Sequence, residues 1–430
     1  MNFDPVLLAS RMQPMKAQGL WRDETVNLYF QRALEQCPDK PAIVSYRAGR
    51  DEAIRLSYRE LGAHVDRIAR GLIALGVGRN DVVTWQLPNC WEFVALALAC
   101  ARIGAAANPV MPIFRQHELN FMLNMGESKV FIVPRQFRNF DYESMARGML
   151  PNLPHLKQLV VIDGGGEDSF DKLLLSDATS PLPAPALEPD DVTLLMYTSG
   201  TTGEPKGVMH TSNTLFANLH GYIEIMELGG DDIVLAASPM AHLTGFGFLA
   251  MVPIILNSTI ALLDVWDPKR ALKIVRDEGV TFSMSAATFV ADMCQEVEAG
   301  EPISPRFTKY SCAGAPIPPA IVERAYALMG LRISSAWGMT EMGAVTVTEP
   351  ARALEKTPNS DGRPLAGVEL KVAGADGKAL KTGEAGELLV RAPSLFAGYL
   401  KRPQLNGVDA EGWFDTGDIA FIDAEGYIRI

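Results

Sequence analysis

The segment Tyr197-Thr-Ser-Gly-Thr-Thr-Gly-Glu-Pro-Lys-Gly-Val208 carries the densest chemistry in the chain. Thr198, Ser199, Gly200, Thr201, Thr202 and Gly203 supply hydroxyls and unhindered backbone N–H groups, and Lys206 adds an ammonium. A polyphosphate needs such donors to spread its charge. The pattern differs from a Walker A loop, because Pro205 precedes the lysine and Gly207 follows it where Gly and Ser/Thr would be required. Serine, threonine and glycine can also make a plain surface loop. The apolar run Val192-Thr-Leu-Leu-Met-Tyr197, however, reads as a buried strand, so the segment hangs from a sheet edge.

Further segments follow in order: Ser238-Pro-Met-Ala-His242, Cys312-Ala-Gly-Ala-Pro316, Trp337-Gly-Met-Thr-Glu341, Gly386-Glu-Leu-Leu-Val-Arg391 and Trp413-Phe-Asp-Thr-Gly-Asp418. This series resembles the adenylate-forming enzymes, which include acyl- and aryl-CoA synthetases, peptide-synthetase adenylation domains and firefly luciferase. Asn108-Pro109, after an alanine-rich helix, extends the likeness toward the N-terminus.

The resemblance implies ATP, Mg²⁺ and coenzyme A as cofactors and a small carboxylate as substrate. Joining a carboxylate to an α-phosphate brings two anions together, so the protein must neutralise charge and align the attack. Thr198–Gly203 would hold the β- and γ-phosphates, with Lys206 as a point charge. Thr340 resembles the donor to the α-phosphate and Glu341 the Mg²⁺ ligand, with Thr201 as a second metal-binding position. An isolated Thr-Glu would read as a helix start complementing the helix dipole; only the surrounding motif reverses this. Asp418 resembles the carboxylate that accepts from both ribose hydroxyls, and Asp415 is the neighbouring turn aspartate. Ala313, Gly314, Ala315 and Pro316 offer no polar side chains, so they would meet adenine through backbone and close approach. Trp337 stands where relatives commonly have tyrosine, and with Gly338 it would flank the adenine. His242, Gly245, Phe246, Ala313, Gly338 and Met339 would bind the acyl group. A lone histidine in such a turn is more often structural, so His242 is read as a binding residue and not as an acid or base.

The segment Ala237-Ser-Pro-Met-Ala-His-Leu-Thr-Gly-Phe246 has no carboxylate. Peptide-synthetase domains place an aspartate there against the substrate's ammonium, and a buried ammonium without a partner is expensive. Amino acids are therefore disfavoured. Gly245 and Gly247 beside Leu243, Phe246 and Phe248 suggest an apolar recess for a ring or medium alkyl chain. The texture is closest to medium-chain and cyclohexanecarboxylate–CoA ligases. The alternatives are a CoA-independent acyl-AMP ligase and a nucleotide or acyl-adenylate binding module without turnover.

With 430 residues, 48% of them hydrophobic and 21% charged, the chain is a globular protein of more than one lobe. A net charge of −12 leaves no basic surface for nucleic acid. The five cysteines lack metal-ligand spacing, which with the absence of a signal-like N-terminus suggests reduced thiols in the cytoplasm. No apolar stretch is long enough for a membrane span; a homodimer is left open.

Alternating helix and strand patterns predict an α/β fold of two mixed, largely parallel sheets with helices on both faces, layered αβαβα. Ser57-Tyr-Arg-Glu60 is a capping box opening a helix, and Trp91–Ile103 reads as a second. Strands are expected at Val82–Leu87, Lys129–Pro134, Val280–Met284 and Arg332–Ala336, and helices at Leu272–Glu278 and Pro319–Met329. Leu249–Leu256 reads as a short buried helix. Ser176–Asp191, with four prolines, reads as a surface connection. The expected subdomains are 1–185, 186–345 with the phosphate loop, and a glycine-punctuated β-barrel or twisted sheet over 346–430. Gly426-Tyr-Ile-Arg-Ile430 resembles the strand that leads into the relatives' hinge and C-terminal domain, whose lysine assists adenylation. The sequence is thus expected to be an N-terminal domain, largely inactive in overall turnover by itself.

Overall fold

The structure is a computed structural model and describes residues 1–176, 181–198 and 204–430. The larger of its sheets has nine strands among the described residues. Its core is parallel, in the order Arg332–Met339, Lys309–Cys312, Phe282–Ser285, Ile233–Ala236, Thr259–Leu263, Pro41–Tyr46. Ile54–Ser57 closes one edge antiparallel, and Gly343–Val347 with Arg363–Pro364 closes the other. A second sheet of seven strands has a parallel core of Val192–Thr198, Ala106–Pro109, Val82–Trp85, Val130–Pro134 and Gln158–Ile162. Lys206–Thr211 and Gly398–Tyr399 extend it antiparallel.

The helix Trp91–Ile103 buries every residue except Arg102. A helix apolar on all sides belongs between layers, and one cluster joins it to Val83, Trp85 and Ile132 of the smaller sheet and to Ile43, Ile260 and Phe282 of the larger. The Ser57 capping box forms as the sequence predicts. Glu60 N–H donates to Ser57 Oγ at 3.2 Å, Ser57 N–H donates to Glu60 Oε2 at 2.8 Å, and the helix runs over Tyr58–Ala74.

The sheets do not follow the chain in blocks. Pro41–Tyr46 and Ile54–Ser57 join the larger sheet, whereas Val192–Thr198 and Lys206–Thr211 join the smaller one. Gly398–Tyr399, from the last third of the chain, pairs with Lys206–Thr211. This exchange sets distant segments beside the phosphate-binding candidates. After residue 346, Glu369–Ala373, Gly386–Arg391, Phe414–Ile422 and Ile428–Arg429 make a curled antiparallel sheet of four, the twisted-sheet form of the expectation.

Two local expectations shift. The strand expected from Val280 begins at Phe282, because Val280 N–H is used to close the preceding helix on Val275 O at 3.1 Å. The expected helix Leu249–Leu256 is instead a π-helix over Thr244–Met251 continuing into Val252–Leu256. Pro253 has no N–H to give the turn before it, and a wider turn tolerates that loss. Among the described residues no helix is long and apolar enough to cross a membrane.

Candidate active site

The strand Arg332–Met339 ends in the turn Thr340–Glu341 and folds back as Gly343–Val347. Glycine is required at both ends of this hairpin. A Cβ on Gly338 would lie 1.8 Å from the carbonyl oxygen of Gly343. Gly343 has φ +71°, and a Cβ there would lie 2.2 Å from Asn218 Oδ1.

Thr340 and Glu341 are gripped from the neighbouring sheet. His210 Nε2 donates to the Thr340 carbonyl at 2.7 Å, and its Nδ1 meets Thr214 Oγ1 at 3.2 Å. Burial pushes the His210 pKa down to about 4, so the ring is neutral at pH 7. The Glu341 carbonyl accepts from Phe396 N–H at 2.7 Å. Its buried carboxylate, 5% exposed, accepts at Oε1 from the Tyr399 hydroxyl at 2.6 Å. Lys206 Nζ stands 4.9 Å from the centre of the Tyr399 ring. Lys206, Val208 and His210 alternate along one strand, and Val208 pairs with Tyr399, so all four side chains share a face.

Thr198 pairs with Lys206 across the antiparallel register. Ser199, Gly200, Thr201, Thr202 and Gly203, expected to cradle phosphate, lie outside the described residues.

On the other side of the hairpin is a cavity of about 60 Å³. His242, Leu243 and Thr244 form one wall, Ala313 and Gly314 a second, and Gly338, Met339 and Thr340 a third, with Phe248 and Met284 among the rest of the lining. The structure therefore brings together His242, Ala313, Gly314, Gly338, Met339 and Thr340 from separate motifs. Thr340 faces this cavity, whereas Glu341 turns toward Tyr399. The His242 ring is exposed at the rim. Its Nδ1 accepts from Thr244 N–H at 3.3 Å and lies 3.1 Å from Thr244 Oγ1, which leaves the proton on Nε2. Burial of the wall behind it lowers its pKa. Asn89 holds this wall in place, donating to the carbonyls of Ala236 and Ser238 at 3.0 and 2.9 Å and accepting from Met240 N–H at 2.9 Å.

Gly245 and Phe246 do not line the cavity. A Cβ on Gly245 would lie 2.3 Å from the carbonyl oxygen of Pro239, so this glycine permits close backbone packing and opens no recess. Phe246 is buried against Phe93 in the core; the π-helix turns Thr244 and Phe248 toward the cavity instead. Ala315 and Pro316 sit exposed in the loop beyond Gly314, whose φ is +83°.

Asp418 is half-buried on the strand Phe414–Ile422. Burial raises its pKa, and the nearby Trp337 side chain offsets part of that rise. The aromatic and the candidate ribose ligand are thus neighbours, although they are 81 residues apart in sequence. Asp415 is exposed and accepts from Gly417 N–H at 3.0 Å, the work of a turn residue.

Residues 30–400 match the family described as AMP-binding enzyme. The chain belongs to that family. It is 31% identical to a medium-chain fatty-acid–CoA ligase of Escherichia coli (strain K12), over 98% of this chain and 74% of that one. It is 28% identical to a 2,3-dihydroxybenzoate-AMP ligase of Bacillus subtilis (strain 168), over 96% of this chain and 76% of that one. An inhibitor-bound crystal structure of the N-terminal domain of FACL13 from Mycobacterium tuberculosis superposes with a TM-score of 0.85 at 27% identity, covering 95% of this chain and 99% of that one. Within this AMP-binding fold, His210, Tyr399 and Asn89 are contacts that motif reading passes over. Alternation from Lys206 along its strand is a sequence signal that points to His210. Nothing local marks Tyr399, whose role depends on a strand pairing almost 200 residues away.

Proposed function

We infer that the protein is an acyl-CoA ligase, which activates a carboxylic acid with ATP to an acyl adenylate and pyrophosphate and then transfers the acyl group to coenzyme A. What carries this reading is the turn Thr340–Glu341. Thr340 lines the apolar cavity, while Glu341 presents a buried carboxylate to Tyr399, whose ring Lys206 approaches from the neighbouring strand. In this reading the two reactants of adenylation would meet on either side of a single backbone step, which is the alignment the reaction needs.

In this reading Thr340 donates to the α-phosphate, Lys206 offsets phosphate charge, and Asp418 accepts from the ribose with Trp337 alongside. Ser199–Gly203 would hold the remaining phosphates. The residues present suit a magnesium ion. Glu341 is a buried carboxylate with no ion-pair partner among the described residues. No group of three His, Cys, Asp or Glu side chains there could hold a metal unaided, so a hard cation would take its other ligands from phosphate and water. Glu341 and Thr201 would hold it, and when bound it would neutralise charge on the phosphates.

The substrate proposed is a carboxylate with no other charged group, carrying a small ring or a short-to-medium chain. Among the described residues no Asp, Glu, Lys or Arg lines the cavity, and Leu243, Phe248 and Gly343 separate it from a void of about 10 Å³ behind. A long chain would have to displace that wall. The free cysteines, four of them buried, fit a reducing cytoplasm, which we propose as its location.

The test is pyrophosphate release from ATP with a panel of alicyclic, aryl and linear carboxylic acids, followed by mass analysis with coenzyme A. Acid-dependent pyrophosphate release together with an acyl-CoA product is expected. Adenylate without thioester would favour an acyl-AMP ligase, and no acid-dependent release would refute the reading.

A further inference from the structure

Tyr399 stands apart from every motif, yet it touches two groups of the site. Its hydroxyl donates to Glu341 Oε1 at 2.6 Å in a buried environment. Its ring lies 4.9 Å from Lys206 Nζ, close enough for a cation–π contact. We propose that Tyr399 is a positioning residue for the cation ligand Glu341 and for Lys206, fixing one carboxylate oxygen and leaving the other to the metal. The proposal rests on the ligase reading above.

The segment carrying Tyr399 is held as a rigid support. Arg11 donates through Nη1 to the Leu395 carbonyl at 2.6 Å and through Nη2 to that of Phe396 at 2.7 Å. Trp21 Nε1 donates to the Pro393 carbonyl at 2.9 Å. Ala397 N–H donates to Met209 O at 2.8 Å, and Tyr399 N–H to Asn406 Oδ1 at 2.9 Å. The N-terminal arm therefore braces the same segment whose Phe396 N–H and Tyr399 hydroxyl hold Glu341. A carboxylate that binds metal works best when a second group fixes its rotamer, and losing such a partner typically weakens metal binding about 10- to 100-fold. Tyrosine also suits the position chemically. Its hydroxyl donates a hydrogen bond to the carboxylate, and its ring face receives the ammonium, so two unlike charges are ordered by one side chain.

The experiment compares wild type with Tyr399→Phe, using Mn²⁺ as a paramagnetic probe in the presence of a non-hydrolysable ATP analogue. Electron paramagnetic resonance gives the Mn²⁺ affinity directly. Loss of Mn²⁺ affinity by about 10- to 100-fold is expected, with the metal-free affinity for the analogue within about twofold for a polar contact that faces the metal ligand only. The Mg²⁺ concentration for half-maximal pyrophosphate release should rise in parallel, with the KM for the acid unchanged. Glu341→Gln, alone and combined with Tyr399→Phe, completes a cycle. Once the carboxylate is gone, the second substitution should have no further effect on Mn²⁺ affinity. Equal Mn²⁺ affinity in wild type and Tyr399→Phe, or additive effects in the cycle, would overturn the proposal and leave the ligase reading standing. A wild type that binds no nucleotide would overturn both. Should Tyr399→Phe fail to fold, 3-fluorotyrosine at position 399 keeps ring and hydroxyl and alters only the donor strength. An unchanged Mn²⁺ affinity in that protein would again count against the role.

Discussion

Gly338→Ala is the smallest substitution that reaches the centre of the site. The added methyl would lie 1.8 Å from the Gly343 carbonyl oxygen, 2.6 Å from its carbon and 2.8 Å from Ala344 Cα. All three are backbone atoms, so no side chain can rotate away. To restore an ordinary contact of 3.4 Å the hairpin must open by roughly 1.6 Å. Gly343 is itself confined by Asn218, which leaves Thr340 and Glu341 as the residues displaced. Misplacing a catalytic group by about 1 Å can cost on the order of 100-fold in rate. Overpacking itself should remove about 1–3 kcal/mol of stability, a fall of a few degrees in melting temperature. Pyrophosphate release and calorimetric binding of a non-hydrolysable acyl-adenylate analogue would measure the first effect, and thermal unfolding the second. Gly165→Ala is the control, since its methyl would meet nothing within 4 Å. If Gly338→Ala stays within threefold of wild type in rate and analogue affinity, the packing argument for the hairpin fails.

In the proposed role Asp418 accepts two charge-assisted hydrogen bonds from the ribose, so Asp418→Ala should weaken AMP binding by about 2–4 kcal/mol. The variant should discriminate less against 2′-deoxy-ATP than wild type does, and equal discrimination would exclude Asp418 from the ribose. A second expectation concerns pH. Burial pushes His210 and His220 from the ordinary 6.5 down to about 4. The unfolded chain therefore binds more protons between those values, so the stability from keeping both rings neutral is complete above about pH 6.5 and declines as pH falls toward 4. Each ring contributes at most about 3 kcal/mol, and the urea midpoint should be clearly lower at pH 5 than at pH 7. Equal midpoints at the two pH values would refute the neutral assignment.

The sequence by itself determined the family, the order of the motifs and the αβ alternation. Phosphate loops, glycine hairpins and helix caps are set by interactions within a few residues, so their signatures survive in one dimension. The Ser57–Glu60 capping box and the helices Trp91–Ile103 and Pro319–Met329 could be read for the same reason. What only the tertiary structure decided is which side chains face one another. Gly245 appears in sequence as a residue that opens space, but in the fold it lies against the Pro239 carbonyl and Phe246 goes to the core. His242 takes its place in the cavity wall because Asn89 holds the preceding segment from more than 140 residues away. Likewise Glu341, recognisable as a candidate ligand, gives no hint that Tyr399 holds its carboxylate and His210 the carbonyl before it. Those contacts arise where strands exchanged between sheets bring sequence-distant residues into register, and one-residue differences in such pairing would turn each side chain to the opposite face. Local chemistry is written in the motifs, while its geometry is set by long-range strand pairing and backbone packing.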